Sequence, residues 1–103
     1  MSIRLVLVDD HAVVRSGLRS WLASEPDGEI VGEAGTGAEA LAVARATTPD
    51  VVLMDIGLPD RSGIEVTRAL KADLPGTAVV ALTIHEDEEY FFQMLHAGAS
   101  GYV

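Results

Sequence analysis

The stretch Val51-Val52-Leu53-Met54-Asp55-Ile56-Gly57-Leu58-Pro59-Asp60-Arg61-Ser62-Gly63 decides how the chain is read. Four apolar residues in a row, bounded by turn residues, form the pattern of a strand buried on both faces. Asp55 closes that strand, at a point where water can reach it. Gly57, Pro59 and Gly63 then mark a tight loop, and a helical pattern begins near Ser62. In an open α/β sheet, ligands bind outside the carboxyl ends of the strands, which is where Asp55 falls. Taken alone, an Asp after a strand more commonly just caps a loop, and the second acidic site decides between the two readings.

The same alternation extends in both directions. Upstream, Ile3 to Val8 is β-rich and runs into Asp9-Asp10. From His11 the spacing of Val14, Leu18, Trp21 and Leu22 predicts a helix with one apolar stripe, and Asp10 is placed to cap it. Glu25-Pro26-Asp27-Gly28 breaks the pattern, and Glu29 to Ala34 is a shorter, more polar strand suited to a sheet edge. A second helix is expected over Ala38 to Thr47, stopping before Pro49. Downstream, a third helix is expected from about Ser62 to Asp73, with Val66, Ala69 and Leu70 on one face. Thr77 to Thr83 is a fourth strand. Glu86 to Ala97 is a fourth helix, its acidic first turn matched to the positive end of the helix dipole. Tyr102-Val103 opens a fifth strand. Strands alternating with helices over short connections predict a parallel sheet with helices on both faces.

Composition narrows the function. A chain of 103 residues makes one small domain over 1–103 with a single core. Sixteen acids against seven Lys and Arg leave a net charge of −9, which argues against direct nucleic-acid contact by this segment. The same balance favours cations or a basic partner surface. With no Cys there is no disulfide framework and no thiolate metal site. Neither a signal peptide nor a membrane-spanning run is visible, so a cytoplasmic location is expected.

Asp9 and Asp10 lie just past one buried strand and Asp55 just past another. If those strands are neighbours, three carboxylates converge; if not, they are independently solvated acids. Convergent anions repel and raise one another's pKa unless a cation sits among them. Mg²⁺, a hard ion favouring oxygen ligands, is the simplest resident, with a backbone carbonyl after Asp55 adding to the set. A carboxylate beside such an ion can attack a phosphoryl group and form an aspartyl phosphate. That transition state needs further donors, and the hydroxyl of Thr83 stands at the end of the fourth strand.

These residues carry a family resemblance. V-D-D-H after the first strand, V-V-L-M-D-I-G-L-P-D-R-S-G after the third, A-L-T at the fourth and G-A-S-G-Y-V at the end resemble the receiver domain of bacterial two-component response regulators. The forms V-D-D-H and M-D-I-G-L-P are most similar to the NarL/FixJ-type transcription factors, whose receivers precede a LuxR-like helix-turn-helix domain. The resemblance covers the whole chain. It implies a flavodoxin-like sheet of order 2-1-3-4-5, with Asp55 as phosphoacceptor for a sensor histidine kinase. It makes Asp9, Asp10, Asp55 and the main-chain carbonyl of Gly57 the ligands of Mg²⁺, for which Mn²⁺ can substitute. Thr83 becomes the switch hydroxyl and Tyr102 the switch aromatic, while Gly57 and His85 match positions that tune the phosphate's lifetime. The resemblance further implies homodimerisation on activation and DNA binding through a separate output domain.

One departure from the pattern bears on these expectations. Receivers carry a Lys at the end of the fifth strand and then a fifth helix, and the sequence stops short of both. It therefore reads as a receiver cut short, with an uncovered apolar face expected near Leu7, Val52 and the fifth strand. On the fourth helix, Phe92 and Leu95 are assigned to the core, and Tyr90, Phe91 and Met94 to an exposed interaction surface. Two other readings remain: a receiver-like interaction module that is never phosphorylated, and a Mg²⁺-dependent phosphohydrolase with an Asp nucleophile. The receiver reading makes the chain a switch rather than an enzyme, with only the loss of its own phosphate to catalyse.

Overall fold

Side chains along a strand alternate between the two faces of a sheet, so strand register decides which residues each helix layer covers. The computed structural model describes residues 3–55, 58–60, 62–82 and 101–102, with 82, 101 and 102 described by backbone alone. The elements are β1 (Ile3–Val8), α1 (Ala12–Ala23), β2 (Gly28–Ala34), α2 (Gly37–Thr47), β3 (Val51–Asp55), α3 (Gly63–Asp73), β4 (Ala78–Leu82) and β5 (Gly101–Tyr102). All strands pair in parallel, in the order β2-β1-β3-β4-β5. The flavodoxin-like order and the polar edge strand β2 agree with the sequence reading. The fourth helix expected over 86–97 lies outside the described residues.

Val6 registers with Val52 and Val8 with Met54, while β4 brings Val79 and Ala81 beside them. These six residues share one face and are almost wholly buried. Ala40, Leu41 and Ala44 of α2 and Val66 and Leu70 of α3 pack in the same cluster, so α2 and α3 cover this face. Leu58, just past β3, is also buried there and fixes the loop behind Asp55 to the core.

The opposite face carries Leu5, Leu7, Val51, Leu53 and Val80. Glu33, registered beside Leu7, pairs with Arg19 of α1 at 3.1 Å, which places α1 on this side. Leu5 and Leu7 are buried, whereas Val51, Leu53 and Val80 are only partly so. The expected weakly covered face is thus corrected in two respects. Leu7 and Val52 are both fully buried, and the two-residue period turns Val52 toward α2 and α3 instead.

The apolar stripe of α1 is present but largely uncovered. No residue of α1 is buried, and Trp21 is 64% and Val14 44% exposed. An amphipathic stripe is buried only where a facing layer meets it, and α1 lies toward the β1–β2 side of the sheet. Its N-cap is His11 rather than Asp10, with no side-chain capping bond. By contrast, Thr36 caps α2 by accepting from the Glu39 amide, and Ser62 caps α3 by accepting from the Glu65 amide.

The edge strand holds one irregularity. Leu5 registers with Ile30 but Val6 with Gly32, so Val31 is an extra residue and forms a bulge. A Cβ at Gly32 would overlap Cγ1 of Val43, so this glycine lets α2 close onto the sheet.

Candidate functional site

The site starts from strand adjacency. β1 and β3 are parallel neighbours with Val8 opposite Met54, so Asp9, just past β1, and Asp55, the last residue of β3, stand side by side at the carboxyl edge. Asp10 and His11 come next in the turn into α1. One ligand atom from each of Asp9, Asp10, His11 and Asp55 lies within 4.8 Å of all the others. The structure therefore brings Asp55 to the adjacent pair Asp9 and Asp10, more than forty positions away in sequence. Asp9 is buried, Asp55 partly buried, and Asp10 and His11 exposed.

His11 is the member of this group that sequence reading treated only as the opening of a helix. Its amide donates to Oδ1 of Asp9 at 2.7 Å, and its Nδ1 lies 2.8 Å from the same oxygen. Nδ1 is also 3.0 Å from Oδ1 of Asp10. The hydrogen bond to Asp9 raises the imidazole pKa above its ordinary 6.5, and the charges of Asp10 and Asp9 add to the effect. The signal for its role was the spacing of V-D-D-H, in which two acids and a nitrogen donor share one turn.

Asp60 is a second residue that the sequence did not single out. Its Oδ1 accepts from the Gly37 amide at 2.7 Å and its Oδ2 from the Ala38 amide at 3.0 Å. One carboxylate thus satisfies two free amides at the start of α2, where negative charge is favoured. This clamp fastens the β3–α3 loop to α2 on the site's side of the sheet. No local pattern announces it, because the partners lie 22 and 23 residues apart.

Tyr102 lies in β5, registered beside Ala81 of β4, with only its backbone described. Gly57, Thr83, His85, Tyr90, Phe91, Phe92, Met94 and Leu95 lie outside the described residues.

Chemically, three carboxylates supply hard oxygen donors and His11 a borderline nitrogen, a donor set suited to a divalent cation. The acid group sits at the carboxyl edge of the sheet, where chain order reverses between β1 and β3. These features define a doubly wound α/β domain with an acidic site at its switch point.

The chain belongs to the response regulator receiver domain family, whose description matches residues 5–103. It is 44% identical over 100 residues to the uncharacterized transcriptional regulatory protein YhcZ of Bacillus subtilis, covering 97% of this chain and 47% of that protein. It is 45% identical over 101 residues to the DNA-binding transcriptional activator DevR/DosR of Mycobacterium tuberculosis, covering 98% of this chain and 46% of that protein. The chain thus spans a little under half the length of these relatives. Among solved structures, a LuxR-family two-component response regulator from Aurantimonas sp. SI85-9A1 superposes with a TM-score of 0.94 at 38% identity. That match covers 99% of this chain and 73% of the other. The receiver domain of the putative response regulator NarL from Mycobacterium tuberculosis gives a TM-score of 0.93 at 34% identity, covering 98% and 82%. Among the described residues, no helix is long and apolar enough to cross a membrane.

Proposed function

We propose that this receiver is a phosphorylation-controlled switch in which a sensor histidine kinase donates a phosphoryl group to Asp55. The observation that carries the reading is the gathering of Asp9, Asp10 and Asp55 at the ends of two adjacent central strands. Asp9, Asp10, Asp55 and the main-chain carbonyl of Gly57 hold Mg²⁺, with Mn²⁺ able to substitute. When bound, Mg²⁺ would supply positive charge to offset the negative charge of the transferring phosphoryl group. Asp55 supplies the nucleophilic oxygen. Asp9, the most buried of the acids, accepts from the His11 main-chain amide at 2.7 Å, and its own amide donates to the Ala34 carbonyl at 3.0 Å. Those bonds keep Asp9 from drifting as charge moves through the site.

On this reading Thr83 turns its hydroxyl toward the phosphate and Tyr102 follows inward, while Gly57 and His85 set how long the phosphate survives. The remodelled surface, including Tyr90, Phe91 and Met94, controls homodimerisation and DNA binding by an output domain, in the cytoplasm. Loss of the phosphate by self-hydrolysis resets the switch. Two relatives support the output side: one is named a transcriptional regulatory protein and the other a DNA-binding transcriptional activator.

The experiment incubates the protein with a small-molecule phosphodonor and Mg²⁺, then maps the added phosphoryl group by mass spectrometry. Labelling should fall on Asp55, vanish in Asp55→Asn and weaken in Asp10→Asn. Labelling that persists unchanged in Asp55→Asn would reject the assignment. A protein that takes no label with its acids intact would favour the unphosphorylated interaction module.

A further inference from the structure

The imidazole of His11 has no part in the reading above, yet it is the fourth donor of the cluster. We propose that His11 Nδ1 is a ligand of the bound divalent cation and biases the pocket from Mg²⁺ toward first-row transition ions such as Mn²⁺. This rests on the acidic group being the metal site.

Three observations support it. The first is geometric. Neighbouring ligands of an octahedral ion with bonds of about 2.1 Å stand roughly 3.0 Å apart. Nδ1 is 2.8 Å from Asp9 Oδ1 and 3.0 Å from Asp10 Oδ1, close to two edges of such an octahedron.

The second is positioning. His11 sits at the N-cap of α1 with an extended backbone, and its own amide is tied to Asp9 at 2.7 Å. The residue is thus held at the site by its main chain as well as by its ring. The side chain is 65% exposed, so Nε2 can stay with water while Nδ1 turns to the ion. The third is donor chemistry. Mg²⁺ takes oxygen almost exclusively, whereas imidazole nitrogen is a borderline donor that transition ions accept readily. Replacing one water in the ion's shell by this nitrogen therefore favours those ions over Mg²⁺.

The same two short distances also fit an imidazolium that bonds the acids and leaves when an ion enters. Electron spin echo envelope modulation on the Mn²⁺-loaded protein separates these cases, because it reads nitrogen bonded directly to the metal. Nitrogen coupling is expected in the wild type and absent in His11→Gln, an exposed substitution. In calorimetric titrations His11→Gln should weaken Mn²⁺ binding at least about tenfold, since losing even a hydrogen-bonding partner of a metal ligand costs roughly 10–100-fold. Its Mg²⁺ affinity should not fall.

Mn²⁺ bound without nitrogen coupling, but released by Asp10→Asn, would overturn the role of His11 and leave the acidic site standing. Coupling that survives in His11→Gln would assign the nitrogen to another residue and overturn the proposal as well. A wild-type protein that binds no Mn²⁺ would overturn both the proposal and the metal reading beneath it.

Discussion

Gly32→Ala tests how closely α2 approaches the sheet. The new Cβ overlaps Cγ1 of Val43, while its other neighbours, Val6 Cγ2 at 3.8 Å and Val43 Cβ at 3.9 Å, are ordinary contacts. One methyl group must therefore yield. Val in a helix has a single strongly preferred rotamer, and leaving it costs about 0.5–1.5 kcal/mol. The other route is for α2 to retreat, which loosens Ala40, Leu41 and Ala44 from Val6 and Val8. Overpacking of this kind costs about 1–3 kcal/mol, and a single conflicting methyl suggests about 2 kcal/mol. For a domain near 100 residues that corresponds to a melting temperature lower by roughly 8–16 °C. The assay is thermal melting of wild type, Gly32→Ala, Val43→Ala and the double variant. In the double variant the conflicting methyl is gone, so Gly32→Ala should cost far less on the Val43→Ala background. Equal melting of wild type and Gly32→Ala would refute the reasoning. Equal costs on both backgrounds would show that Val43 is not the obstacle.

Asp60→Ala removes both acceptors at the start of α2 and should cost about 1 kcal/mol, with faster amide exchange at Gly37 and Ala38 by NMR. In metal-free protein the His11 ring should titrate above 6.5, and Asp9→Asn should lower its pKa. Because the folded-state value is the higher one, the stabilisation it brings is complete below about pH 6.5 and is lost as pH rises through the folded value. Ring proton shifts across a pH series check this, and a His11 that titrates at or below 6.5 would contradict it. Trp21, the single tryptophan, should emit like a solvated indole and be readily quenched by acrylamide, given its 64% exposure. A blue-shifted, protected emission would mean that α1 is covered in solution.

Local patterning made much of the fold legible. The apolar run 51–54 and the breaks at Pro26 and Pro49 act within a few residues of themselves. Burial followed less closely. The stripe Val14, Leu18, Trp21 and Leu22 has helical spacing, but spacing does not say what lies opposite, and α1 buries none of it. Val52 was placed on the wrong face because the period of two assigns alternate faces without saying which helices cover each.

For the site, the sequence by itself determined the donors: two acids after β1, one after β3, and motifs strong enough to point to a receiver. Only the tertiary structure decided that they meet, because the order β2-β1-β3-β4-β5 makes β1 and β3 neighbours across more than forty residues of chain. The same long-range pairing brought Asp60 to the first amides of α2 and set the His11 ring between Asp9 and Asp10. A sequence records which groups can bond and how they are spaced along the chain. Distances across the sheet come from strand pairing and register, and in a parallel sheet every such pairing spans a crossover that no local pattern specifies.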